Sequence, residues 1–146
     1  MARGDLGIVL PPRWRRRSDP DHGVLVSARS PVLPDSGVRP ELVLACTRVD
    51  QELGAWRDDA LRELARRLDD LDVEDEDAFD LMGHDVVYRR FAHRLGAADI
   101  VSEQWAWLVG TLGFTLTCSV AREDYWDWCD VFEAIAETVD LSRVAA

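Results

Sequence analysis

The sequence predicts an α+β fold, a twisted antiparallel β-sheet flanked by two main helices, built as a single domain over residues 1–146. Three observations predict it. Apolar residues recur at steps of three and four in only two long stretches, so there are two helices of consequence. Elsewhere the side chains alternate with a period of two, and Gly83, Gly96 and Gly110 cut the later alternating region into neighbouring strands. The order is strands, helix, strands, helix, not the strict alternation of a parallel sheet.

Leu6 to Leu10 reads as a short apolar strand closed by Pro11 and Pro12, and Trp14 follows before the basic run Arg15-Arg16-Arg17. Val24 to Ser30 and Leu42 to Val49 are the next strands, because Pro31, Pro34, Gly37 and Pro40 between them cannot continue a ladder. Asp50 opens the first helix, where its carboxylate can accept from the free N–H groups of the first turn. Leu53, Trp56, Ala60, Leu61, Leu64, Leu68 and Leu71 form one stripe, which predicts a single buried face with Trp56 as its largest member. The opposite face offers Asp58 with Arg62, Glu63 with Arg67 and Arg66 with Asp70 as i, i+4 pairs. Further strands are expected at Ala78 to Met82, Asp85 to Leu95, Ile100 to Val109 and Leu112 to Val120. In the last of these, Leu112, Phe114, Leu116, Cys118 and Val120 share the core-facing side, and Gly110-Thr111 before it is a tight hairpin turn. A final helix runs from about Glu123 to Val139, with Trp128, Phe132, Ile135 and Val139 on its buried side.

Acids outnumber bases by 28 to 17, for a net charge of -11, and every base is arginine. Such a charge repels phosphate backbones and anionic lipid, so general nucleic-acid or membrane-surface binding would need a local basic patch to overcome it, and nucleic acid is not an expected partner. Membrane insertion is not expected either. The longest uncharged stretch, Gln104 to Ala121, is broken by Gly110 and Gly113 and alternates two by two, which is a hairpin pattern. The apolar run before Pro11 is too short for a signal-peptide core. Cys46, Cys118 and Cys129 show no CxxC spacing and read as buried thiols. Together these place the protein in a reducing cytoplasm.

The opening Leu-Pro-Pro-Arg-Trp, the long helix after the third strand, the Gly-His-Asp-Val-Val-Tyr-Arg-Arg strand and the closing Asp-Tyr-Trp-Asp-Trp-Cys-Asp-Val-Phe-Glu-Ala-Ile resemble the PsbP/Mog superfamily, nearest its actinobacterial LpqN-like and DcrB-like branch. The resemblance covers about Leu6 to Leu141 and rests on element order and apolar motifs. It implies a Mog/PsbP-like α/β sandwich used for binding other proteins, without catalysis. The sequence departs from the LpqN-like lipoproteins in showing no signal peptide and no lipobox cysteine, so envelope anchoring is not implied.

Chemistry-bearing motifs are scarce. Eight acids and no base lie between Asp69 and Asp80, but no register supplies the alternating ligands, Gly and closing Glu of an EF-hand loop, so no metal is expected. His22, His84 and His93 stand in no HExxH, GxSxG or SxxK context, and the glycines are too isolated to cradle phosphate. No cofactor and no enzyme activity are expected. Arg13, Arg15, Arg16 and Arg17 around Trp14 read as a solvated cluster or as partners of the acidic segment, in the fold or in a dimer.

The partner-binding candidates are of two kinds. Trp105, Trp107, Tyr125 and Trp126 are aromatic anchors beyond what the helical stripe needs. Asp72, Glu74, Asp75, Glu76 and Asp77 form an acidic docking face for a basic partner. The expected function is a protein-binding module, an adaptor, chaperone or accessory factor for another bacterial, secreted protein. Alternatives are an immunity protein against a basic toxin, and a small-ligand or lipid binder using a closed apolar pocket between sheet and helix. A homodimer through a sheet edge or an aromatic face also stays open.

Overall fold

The alternating segments pair edge to edge into one antiparallel seven-stranded sheet in the computed structural model, which describes residues 7–141. The strands are β1 Arg17–Asp19, β2 Val24–Arg29, β3 Glu41–Arg48, β4 Asp69–Leu81, β5 His84–Leu95, β6 Ala98–Val109 and β7 Leu112–Ala121. They lie in the order β1-β2-β3-β7-β6-β5-β4, so β1 and β4 are the two edges. Helix α1 (Leu53–Arg67) links β3 to the far edge strand β4, and α2 (Tyr125–Glu137) follows β7.

The two faces of the sheet differ sharply. Cross-strand register lines up Leu44, Leu116 and Trp105 in one row and Cys46, Phe114, Trp107 and Val86 in the next, so large apolar side chains tile one face. Helix α2 lays Phe132, Ile135 and Ala136 onto that face. Trp14 reaches it from the arm before β1 and packs 5.5 Å from the Trp128 ring. Full burial of one such side chain stabilises the fold by about 1.5–3 kcal/mol.

The opposite face is a layer of polar contacts beneath α1. Ser102 and Ser119 share a hydrogen bond of 2.7 Å, and Gln104 donates to Thr117 Oγ1 at 2.9 Å. Arg57, the buried residue of α1, donates from Nη2 to Gln104 Oε1 at 2.6 Å and lies 4.5 Å over the Trp56 ring. Its burial, with Arg89 nearby, lowers its pKa to about 10. Arg89 in turn donates to the Arg57 carbonyl and to Asp58 and pairs with Glu76 at 3.2 Å. Trp56 packs against β7 at Gly113, where a Cβ would come 2.5 Å from the indole.

Several expectations change here. The acidic segment is not a helix end with a short strand after it, because β4 begins at Asp69 and takes in all its acids. Acids are poor strand formers in isolation, but Asp69, Asp75 and Glu76 stand opposite Arg94, Arg90 and Arg89 of β5, and opposite charges across a ladder offset the local preference. Helix α1 is correspondingly shorter: Leu68 is already extended and Leu71 belongs to β4. Its stripe, Trp56 included, is half-buried over a polar face rather than sunk in a core. Asp50 does not cap the helix. The cap position is Glu52, without a side-chain bond. The surface pairs follow i, i+3, Asp59 with Arg62 and Glu63 with Arg66, since Asp58 turns to Arg89. Leu6 lies outside the described residues, and after it a single antiparallel bridge from Gly7 to Asp140 replaces the expected first strand.

Candidate functional site

Between the β4 edge and α2 the sheet carries an open groove of about 560 Å³. The alternation of the strands decides what reaches it. From β6 come Glu103 and Trp105, from β5 Tyr88 and Arg90, and from β4 Asp75, Asp77 and Asp80. Helix α2 contributes Tyr125, Cys129, Glu133 and Glu137 at steps of four, with Asp130 beside them. Seven carboxylates thus face one arginine.

The groove floor is aromatic and holds a buried acid. Tyr88 and Trp105 pack with ring centroids 5.2 Å apart. The Tyr88 hydroxyl donates to Glu103 Oε2. Glu103 is only 6% exposed, and its second oxygen, Oε1, has no hydrogen-bond partner. Arg90 is the cross-strand neighbour of Glu103, yet it is drawn elsewhere. Its Nε lies 3.5 Å from Glu74, its Nη1 donates to the Tyr125 hydroxyl at 3.3 Å, and its guanidinium lies 5.5 Å from that ring's centroid. Glu74 is free to reach Arg90 because β4 is irregular between Val73 and Asp75, which leaves Glu74 out of the ladder. Its carboxylate also pairs with Arg122, itself held by Asp99 at 2.8 Å.

Burial pushes the Glu103 carboxyl above the usual glutamate range, partly offset by the Tyr88 hydroxyl, Arg90 and the Tyr125 hydroxyl. Burial and the bond to Glu103 push the Tyr88 phenol up as well, and burial raises Tyr125. Burial and Asp130 raise the Cys129 thiol, so it is not an activated nucleophile. Among the described residues no three His, Cys, Asp or Glu side chains stand close enough to hold a metal ion. What the groove can do chemically is receive an organic cation. A guanidinium or ammonium meets a ring of carboxylates and the Tyr88 and Tyr125 rings, with the buried Glu103 carboxylate beneath them.

The sequence-level candidates separate. Tyr125, Asp75 and Asp77 meet in the groove, and Trp105 lies beneath them as packed core, 3% exposed. Trp107, two residues from Trp105 on the same face, is 2% exposed in the core beside Phe114 and offers no surface, so its place is structural. Glu76 faces α1 and pairs with Arg89, and Glu74 is held between two arginines. Asp72 is exposed but outside the groove. Trp126 is 82% exposed on the first turn of α2, its ring edge-on to Tyr125 at 5.4 Å just beyond the groove. The groove also contains residues the sequence reading passed over: Glu103, Tyr88, Arg90 and the acids of α2. Glu103 had a visible signal, a carboxylate on the apolar side of β6 between Val101 and Trp105.

Compared by sequence, the chain matches no protein-family model and no curated protein. Compared by structure, the fold belongs to a recognisable class. It is similar to LpqN of Mycobacterium tuberculosis, involved in cell envelope biogenesis, at TM-score 0.71 and 14% identity over 91% of this chain and 80% of that one. It is similar to cyanobacterial PsbP from Synechocystis at TM-score 0.68 and 13% identity, over 94% and 86% of the chains. A Pseudomonas aeruginosa protein of unknown function, PA94, matches at TM-score 0.71 and 11% identity, over 90% and 88%. In fold, then, the chain stands with the PsbP-like and LpqN-like proteins. At these identities the likeness concerns the fold alone.

Proposed function

We propose that the protein is a non-enzymatic binding module that takes a basic segment of another protein into the groove beside α2, as an adaptor, chaperone or accessory factor acting in a reducing compartment. One observation carries this reading: Glu103 is buried with an unpartnered carboxylate oxygen at the bottom of a groove lined by six further acids. A buried charge without a partner is costly, and an incoming guanidinium or ammonium supplies the missing half. Tyr88 and Tyr125, both half-buried, supply the aromatic contact typical of interface anchors. An immunity protein neutralising a basic toxin would use the same surface. A small apolar ligand would not, since the space is open and acid-lined.

The test is a calorimetric titration of the full chain with a hexa-arginine peptide. Saturable binding is expected, weakened about tenfold or more by Glu103→Gln. Equal binding by Glu103→Gln and the unmodified chain would sink the reading.

A further inference from the structure

The opposite edge of the sheet carries a second groove, of about 390 Å³, with the reverse chemistry. Arg13, Arg15, Arg17, Arg29 and Arg39 line it, and Glu41 is its one acid. In a chain where acids outnumber bases so heavily, five arginines converging on one space is not a solvated average.

The arginines are held in place by the fold. Along the arm the side chains alternate, so that Arg13, Arg15 and Arg17 line the groove while the two residues between them anchor the backbone. Trp14 is buried against Trp128, and Arg16 donates from Nη2 to the Ile8 carbonyl at 2.9 Å. Arg17 stands opposite Ser27 in the β1–β2 ladder. Across the groove, Arg39 is fixed by two bonds from Nη1, to the carbonyls of Ser30 at 3.1 Å and Pro31 at 2.8 Å. Arg13 has a φ of 71° in the turn closed by the Trp14 N–H on the Pro11 carbonyl at 3.2 Å. Glycine fits such a position without strain, and an arginine there puts a cation at the mouth of the groove. Among the described residues, Arg13, Arg15, Arg17 and Arg29 make no ion pair and no side-chain hydrogen bond, although Glu41 lies directly opposite Arg29 in the ladder.

We propose that this groove is a binding site for a phosphate ester. Unpaired guanidiniums present planar forks that match phosphate oxygens two by two, and an anion among them relieves their mutual repulsion. The volume lies in the range of small-ligand sites, and the charges converge on one space rather than running as a stripe. The phosphate can belong to a soluble small molecule or to a lipid headgroup at the membrane surface.

Two probes separate these sources. Inorganic pyrophosphate is titrated against the full chain at ionic strength matched with sodium chloride, following the thermal midpoint and the heat of binding. Vesicles of phosphatidic acid in phosphatidylcholine are tested by co-sedimentation. The comparison variant is Arg15→Ala/Arg17→Ala, whose side chains are exposed, with circular dichroism to confirm folding. Saturable pyrophosphate binding that weakens about tenfold or more in the variant supports the site. Vesicle binding that is lost in the variant assigns the phosphate to a headgroup, and pyrophosphate binding without vesicle binding assigns it to a soluble ligand. Pyrophosphate acting no more than matched chloride, or equally on the variant, overturns the proposal. So does a change in sedimentation of the variant alone without pyrophosphate binding, which would give the groove to the acidic edge of a second copy. Hexa-arginine binding by the same variant should be unchanged, so this proposal and that for the α2 groove fail separately.

Discussion

The two edges of the sheet hold opposite charge in different ways. At the β4 edge most of the charge is exposed or answered by arginines of β5, and what stands out is a single buried carboxylate with half its hydrogen-bonding capacity unused. At the β1 edge the charge is exposed, and among the described residues Arg13, Arg15, Arg17 and Arg29 have no ion-pair partner. The difference teaches where binding strength should come from. A buried acid contributes through desolvation and hydrogen bonding and is screened little by salt, whereas a cluster of exposed arginines contributes through field strength and fades as salt rises. A charged edge also discourages one sheet from adding to another, so both edges guard against aggregation.

Four variants test that contrast, and denaturant unfolding measures each. Trp14→Ala removes the indole that docks the basic arm on Trp128 and should cost about 3–5 kcal/mol, collapsing the β1 edge while leaving the α2 groove assembled. Gly113→Ala is a control touching neither edge: it forces a methyl group into Trp56 and Val49 and should cost about 1–3 kcal/mol. Glu103→Gln should stabilise the protein at neutral pH by about 1 kcal/mol, because it removes a buried charge and keeps an acceptor for the Tyr88 hydroxyl. Arg15→Ala/Arg17→Ala should change stability by no more than about 0.5 kcal/mol, since neither exposed side chain has a partner to lose.

The Glu103 effect has a pH signature. Burial holds its carboxyl above the range of an unfolded glutamate, so between those two values the native chain binds more protons than the unfolded one. Its contribution to stability therefore falls as pH rises through that window. Glu103→Gln should exceed the unmodified chain in stability above the window, and the two should converge in acid. Val101, Trp105 and Trp107, the neighbours of Glu103 on the apolar face of β6, do not titrate and cannot produce this signature.

Much of the architecture was legible because it repeats locally. The alternation of β7 and the stripe of α2 each pointed to the face they bury, and the Gly110-Thr111 turn fixed their hairpin neighbour. What was hidden depends on distant partners. β4 is a strand because arginines of β5 lie opposite its acids, and α1 is a lid over hydrogen-bonded polar residues although its own sequence reads as amphipathic. The candidate site was half legible for the same reason. Trp105, Tyr125, Asp75 and Asp77 stood out by residue type, but Asp130, Glu133 and Glu137 look like any solvated helix surface until α2 is laid beside β4. Glu103 was an anomaly visible in sequence, an acid on an apolar face, whose importance depended on Arg90 being drawn away to Glu74 and Tyr125.

The most direct test of the account is a carbon-detected NMR titration of the Glu103 side-chain carboxyl in the full chain, with and without saturating hexa-arginine. The groups facing it are Tyr88 and Arg90 on β5, Tyr125, Cys129 and Glu133 on α2, Asp75 and Asp77 on β4 and Cys118 on β7. A midpoint above the ordinary glutamate range is expected in the unbound chain, with a clear fall when the peptide binds, because a nearby cation favours the carboxylate. A midpoint that the bound peptide leaves unmoved would contradict it.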